Sequence, residues 1–383
     1  MGSNRWVAIV ATIAVAAACR EPSSGPATSR APAFAVSGAV ACPTTADVTV
    51  SDEASLRAAL SAASPGNVIA LKGFFAVTAD VPITTPSVTL TCAAPGSGIF
   101  APPGFSGLWL FQVLAGGVTV DRLVLDGGRA PEGPYVAGTD GTLGFFADTA
   151  RLTNNSVTCG RPTGECAFFV GTRNAVVTDN RFESASSSTG VHLQQGIDGA
   201  RVERNTIVAT APSTSFALGG IRVRDGSNVI VVDNVVRGPW SNSIATTNLV
   251  GSRFENNRLE GAAVDGIRFG VAPSSSNLFR NNQVTGAGDA GIFVQSACSN
   301  TFLGNSIEGN GRTPSAIFDA TTGANVLVLV GAKNLVIDNG GAFDCNGDGV
   351  GDPNIIAGPG RVVRGVAVSS PADAGVENSG RLR

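Results

Sequence analysis

A short pattern of apolar and polar positions returns along the middle of the chain: an apolar residue, two variable ones, an asparagine, one variable residue and a second apolar one. It reads Val177-Thr-Asp-Asn180-Arg-Phe182, Val202-Glu-Arg-Asn205-Thr-Ile207, Val231-Val-Asp-Asn234-Val-Val236 and Phe254-Glu-Asn-Asn257-Arg-Leu259, with further copies on Asn155, Asn282 and Asn305. Successive asparagines are 25, 25, 29, 23, 25 and 23 residues apart, a near-fixed period that marks a solenoid. A second pattern keeps step with it, a small residue followed by an inward apolar one: Ala167-Phe168, Gly190-Val191, Gly220-Ile221, Ser243-Ile244, Gly266-Ile267, Gly291-Ile292 and Ala316-Ile317. Apolar residues alternate at period two in Ile221-Arg-Val223 and Ile267-Arg-Phe269, and β-branched side chains dominate. Each repeat is therefore expected to hold several short, half-buried strands. The period is too short for a strand–helix–strand unit, so the fold class is all-β.

Over residues 44–365 these repeats resemble the pectate-lyase-like right-handed parallel β-helix proteins. The resemblance implies about ten or eleven coils between residues 68 and 340. Equivalent positions then stack about 4.8 Å apart along the axis. The asparagines become a structural column whose amides bond the turn backbone and one another while tolerating left-handed dihedrals. That superfamily contains lyases, hydrolases, epimerases, adhesins and non-catalytic proteins, so the fold leaves function open. The Asn-Thr-Asp, Asp-Asp and Gly-His-Gly motifs of polygalacturonase-type hydrolases are absent, as is the Tyr-Gly-x-Asp-Pro-His motif of alginate epimerases.

Outside the repeats the pattern changes. Arg5 precedes an apolar run over 7–18 that is too short to span a bilayer and reads as an export signal, residues 1–18. Ala16-Ala-Ala-Cys19 resembles a lipobox with Ala in place of the usual Leu. Lipidation of Cys19 would make the protein a membrane-anchored lipoprotein at the cell surface; ordinary cleavage after Ala18 would leave it periplasmic or secreted. Lipidation also leaves six of the seven cysteines, an even number. Cys159 and Cys166 are the expected local disulfide, with Cys42–Cys92 and Cys298–Cys345 following by order in sequence. Residues 19–41 read as a flexible tether, 42–368 as one β-helix domain and 369–383 as a disordered tail. Residues 52–63 predict a helix, capped by Ser51 or Asp52 and stopped by Pro65-Gly66, that closes the open end of the solenoid with Leu56 and Leu60. Residues 126–149, rich in Gly and Pro, read as an insertion between coils.

Composition narrows the partners. The chain has 383 residues, 14% of them charged, with a net charge of −3 and no basic patch of nucleic-acid type, which fits one elongated monomeric domain. Near the C-terminus, Asp344-Cys-Asn346-Gly-Asp348-Gly349-Val350-Gly-Asp352 resembles the first nine positions of a calcium loop. Asp344, Asn346, Asp348 and Asp352 with the Val350 carbonyl are candidate Ca²⁺ ligands. Ile355 stands where such a loop has its bidentate Glu, so a polar capping turn is the alternative.

If the second residue of each small–apolar pair points inward, the next points outward. That column reads Phe169, His192, Arg222, Ala245, Arg268, Phe293 and Phe318, with Gln194, Arg224 and Gln295 beside it. Stacking at about 4.8 Å is close to the rise of one sugar in an extended polysaccharide. Arginine forks suit uronate carboxylates and aromatic rings suit sugar faces, so Phe169, Gln194, Arg224, Phe293 and Gln295 are candidate binding residues for an acidic polysaccharide. For β-elimination, Arg222, Arg224 or Arg268 would neutralise the carboxylate while His192, the single histidine, or an arginine abstracts a proton. Lys72 and Lys333, the only lysines, lie outside the column. A hydrolase would need paired carboxylates, for which Asp265 and Asp289 are the candidates. A non-catalytic structural or adhesive surface protein remains the competing reading, since exposed sheets carry polar residues anyway.

Overall fold

The computed structural model describes residues 41–128, 141–159, 164–184, 189–212, 219–270, 274–294, 297–303, 305–308, 310, 335–337, 355–357 and 361–363. Successive coils supply strands to three parallel sheets, which hold 12, 10 and 14 strands among the described residues. One coil, for example, contributes Val176–Thr178, Arg181–Ser184 and Thr189–Gln194, and the next Arg201–Glu203, Thr206–Ala209 and Gly219–Ser227. In the first sheet Val177 pairs with Val202, Val202 with Val231, Val231 with Phe254 and Phe254 with Phe279. Like stacks on like, and the chain is the right-handed parallel β-helix that its period predicts. The 10-stranded second sheet counts the coils among the described residues, from Phe74–Ala76 to Ser306–Glu308.

The asparagines build the corner between the first and second sheets. Asn155, Asn180, Asn205, Asn234, Asn257, Asn282 and Asn305 are all buried in one column. Asn155 Oδ1 accepts from the backbone N–H of Leu123, and each later carboxamide oxygen accepts from that of the asparagine one coil earlier, as Asn180 Oδ1 does from Asn155 at 2.9 Å. Each Nδ2 donates to a backbone carbonyl, as Asn257 does to Val231 at 2.9 Å. The left-handed residue is not the ladder asparagine but the one before it: Asn154, Asp179, Arg204, Asp233, Asn256 and Asn281 have φ between 52° and 58°. One corner residue turns the backbone and the next satisfies it. A second, shorter ladder of Ser252, Asn277 and Asn300 stands at the corner between the third and first sheets, with Ser252 N donating to Asn277 Oδ1 at 2.9 Å and Asn277 N to Asn300 Oδ1 at 3.0 Å. Sequence reading missed it because the same column is Ala175, Ala200 and Val229 in earlier coils.

Between the sheets lies a narrow core in which equal residues stack. Phe254 and Phe279 lie 4.5 Å apart with rings parallel, and Phe302 follows at 5.0 Å. Helix α1, Glu53–Ala62, adds Leu56 and Leu60 to that core. Asp52 caps it through a reciprocal bond with Ser55, and Arg57 donates to the carbonyls of Ala79 and Asp80. The expected pairs Cys42–Cys92 and Cys159–Cys166 are both disulfides, with Cα separations of 5.4 and 4.8 Å.

Two expectations change. Residues 126–149 are not one insertion, because Gly141–Phe145 is a strand of the third sheet between Phe111–Val113 and Glu165–Val170. Its outward Gly144 hid the alternation. A Cβ there would lie 2.7 Å from the Phe146 ring and 2.8 Å from Trp109, so the space above it is already filled. Residues 1–40, with Cys19, Gln295, Phe318, Cys345, the candidate calcium loop and the C-terminal tail lie outside the described residues. Among those described, no helix is long and apolar enough to cross a membrane.

Candidate functional site

Register in the third sheet decides which side chains share its outer face. Ala167 pairs with Val191, Val191 with Ile221, Ile221 with Ile244, Ile244 with Ile267 and Ile267 with Ile292, all buried inward. The outward column one residue on is Gly144, Phe168, His192, Arg222, Ala245, Arg268 and Phe293. Phe168 therefore belongs to the outer face. Phe169 does not: it stacks on Phe145 in the core at 4.3 Å. The small–apolar pair of that coil is Cys166-Ala167 rather than Ala167-Phe168, and both satisfy the pattern, so the sequence alone slipped by one residue and reversed the two rings. Small residues in that column are a steric need, since a Cβ on Gly190 would lie 2.4 Å from the Gly220 carbonyl oxygen.

Towards the N-terminal coils the face is aromatic. Asp80 Oδ1 accepts from the backbone N–H groups of Leu108 and Trp109 at 2.6 and 2.7 Å, which holds the backbone that carries the Trp109 ring. Trp109 stacks on Phe168 at 5.7 Å, Phe146 meets both rings edge-on, and Phe168 lies 5.1 Å from the His192 imidazole. Beyond His192 the face turns cationic with half-buried Arg222 and, two residues along the same strand, Arg224. Arg268 follows two coils away. Its guanidinium carbon sits 4.9 Å from the Phe293 ring centroid, and it pairs at 3.1 Å with fully buried Asp265. Half-buried Gln194 follows Leu193 on the His192 strand.

Glu165 is the residue that sequence reading missed. It lies three positions before Phe168, in register with Thr189, and its Oε1 is 3.0 Å from His192 Nδ1. The same three-residue step joins Asp265 to Arg268. His192 is not on a solvated strand as expected; both it and Glu165 are 2% exposed. With a carboxylate as acceptor, Nδ1 carries the hydrogen and Nε2 keeps its lone pair. Nε2 is buried and has no hydrogen-bond partner among the described residues. Burial first, then the charges of Arg222 and Arg224, hold His192 well below the ordinary histidine pKa, so the ring is neutral at neutral pH. The one cue in sequence was an acid opening the apolar run Glu165-Cys-Ala-Phe-Phe-Val170. Asp265 and Asp289 are both buried, and Asp265 is committed to Arg268, which is not the arrangement of an exposed hydrolytic pair.

This state of His192 has a signature in stability. The unfolded chain takes up the histidine proton near the ordinary value of 6.5, whereas the folded chain resists it. The unfolded state binds more protons below that value, so stability present above it is lost as pH falls, by at most about 1.4 kcal/mol per pH unit. Melting temperature should drop between about pH 6.5 and pH 5 in the native chain and much less in His192→Gln. The perturbed carboxylates Asp52, Glu53, Asp179, Asp198 and Glu255 are all lowered, and their contribution is lost further into acid. Equal slopes in the two proteins would mean that His192 titrates normally.

Residues 165–339 match the family model described as the right handed beta helix region. No curated protein matches the sequence. Among solved structures, the chain is similar to the Dettilon tailspike protein, with a TM-score of 0.46 and 13% identity, covering 66% of this chain and 57% of that one. It is also similar to the enzymatically active domain of bacteriophage CBA120 tailspike protein 2, with a TM-score of 0.46 and 9% identity over 70% of this chain and 41% of that one. A third is the A-module of an Azotobacter vinelandii mannuronan C-5 epimerase, at 0.43 and 19% over 67% and 71%. The chain thus spans about half the length of the two tailspike chains.

Proposed function

We propose that this right-handed parallel β-helix binds an acidic polysaccharide along the outer face of its third sheet and cleaves it by β-elimination. The observation that carries the reading is the single register column that sets a neutral histidine beside Arg222, with Arg268 two coils further on. At about 4.8 Å per coil those two arginines are about 10 Å apart along the axis, so one extended chain of acidic sugars can meet both. Arginine forks pair carboxylates in bidentate fashion, and the Trp109, Phe146 and Phe168 cluster ends the cationic stretch with an apolar boundary.

The chemistry follows from those groups. An arginine on the uronate carboxylate stabilises the negative charge that builds when the carbon-bound hydrogen next to it leaves. His192 Nε2 takes that proton, the electron pair forms a carbon–carbon double bond, and the bond to the neighbouring glycosidic oxygen breaks. That oxygen leaves with a proton from solvent. A second reading draws on one observation in particular, the 2% exposure of His192: the face binds the polymer without cutting it, as an adhesive surface would.

Calorimetric titration of polyuronate and of a neutral glycan separates these outcomes. The native protein should bind the polyuronate at low salt, lose affinity as salt is added and ignore the neutral chain. Turnover should show as ultraviolet absorbance from unsaturated uronate, present in the native protein and lost in His192→Gln with binding intact. Binding without that absorbance selects the adhesive reading. No binding at low salt sinks both.

A further inference from the structure

The Glu165–His192 contact lies where two adjacent strands of the third sheet, Glu165–Val170 and Thr189–Gln194, pair in register. Glu165 reaches across one coil to the ring, and the neighbouring Cys166 is tied back to Cys159. The carboxylate is thus anchored on the strand and braced by the disulfide. Both side chains are out of water, so bulk solvent does not compete for the 3.0 Å contact. The opposite tautomer would set the Nδ1 lone pair against a carboxylate oxygen, two acceptors facing each other. The structure also leaves Nε2 buried with no partner among the described residues, an arrangement that a purely structural histidine has no reason to keep.

We infer that Glu165 and His192 act as one unit, in which Glu165 accepts the Nδ1 hydrogen and holds the Nε2 lone pair as the acceptor for a hydrogen of the bound glycan. Glu165 is then a positioning residue that acts through the ring. The tautomer follows from the contact with Glu165 ionised; the identity of the donor rests on the acidic-polysaccharide reading.

Because His192 is the only histidine, the chain gives one pair of ring-nitrogen resonances when grown with ¹⁵N-labelled histidine. Near neutral pH the native protein should show Nδ1 protonated and Nε2 bare. Glu165→Gln, whose amide oxygen still accepts, should keep that pattern, whereas Glu165→Leu should move population to the form protonated at Nε2. A structural role for Glu165 alone would not shift the tautomer while the fold, read from the backbone amide spectrum, is retained. Adding a uronate oligosaccharide should then move the Nε2 resonance of the native protein towards that of a hydrogen-bonded acceptor. A native ring protonated at Nε2 or doubly protonated overturns the dyad. A saturated complex in which Nε2 does not move overturns its role as ligand acceptor. If calorimetry finds no polyuronate binding, the polysaccharide reading falls and takes the donor with it, and the tautomer in the free protein still decides the dyad.

Discussion

Replacing Asn257 by leucine should cost about 1 to 3 kcal/mol of stability, the expected loss from leaving the buried backbone N–H of Asn234 unpaired. The bonds lost can be named. Asn257 Oδ1 accepts from the backbone N–H of Asn234 at 3.1 Å, and its Nδ2 donates to the Val231 carbonyl at 2.9 Å. The side-chain amides on either side keep other bonds, since Asn234 Nδ2 also reaches Val202 O and Asn282 Oδ1 still receives the Asn257 backbone. The chain contains its own comparison in Leu123, which stands at the ladder position of an earlier coil. There the ladder has an exit: Ser97, one coil before, sends its N–H to the local carbonyl of Ala94 instead. Asn234 sits in a tight two-residue corner behind left-handed Asp233, with no such local acceptor among the described residues. A denaturant midpoint in Asn257→Leu that moves by the equivalent of less than about 0.5 kcal/mol would place the substitution among ordinary surface changes and refute the ladder as a source of stability.

The paired substitution Arg222→Gln with Arg224→Gln is expected to weaken polyuronate binding by about 10² to 10⁴-fold, since each hydrogen-bonded charge contributes about 1.5 to 3 kcal/mol. The salt dependence of what remains should flatten with it, because the charges that screening acts on are gone. Arg268 is a poorer probe. Removing its guanidinium leaves buried Asp265 short of its cation, and uncompensated buried charge is itself strongly destabilising. Arg268→Ala should therefore lower the melting temperature. Undiminished affinity in the double variant, measured at low salt, would remove the cationic face from recognition altogether.

Period and polarity made the architecture legible, because a stacked fold repeats its demands at every coil. Asn180, Asn205 and Asn234 recur since each corner must satisfy the same backbone groups, and Ile221, Ile244 and Ile267 recur since each fills the same slice of core. The outer face obeys no such repetition. Arg222, Arg224 and Arg268 were found because a register set by inward isoleucines carries the outward residues with it. Phe168 and Phe169 were exchanged where that register rested on Cys166-Ala167, two small residues in a row of which either could begin the pair. Glu165 and Trp109 were invisible for a different reason. One opens its strand three residues before Phe168, out of step with the outward residues, and the other covers the face from the coil of Phe111–Val113, so neither falls in a column that alternation can point to.

The hydrogen bonds that the carboxamide oxygens of the asparagine column accept from backbone N–H groups all run one way, with the donor in one coil and the oxygen in the next from Asn155 through to Asn305. A lineage can therefore lengthen or shorten this molecule by whole turns and leave every surviving bond as it was, whereas gain or loss of a single residue inside a strand breaks the chain of acceptors. Because the outer face advances by one outward residue per turn, such duplications would resize that face in steps near the length of one sugar. On the proposed polysaccharide reading, the length of polymer that the face spans is inherited in discrete units, set by copying rather than by substitution.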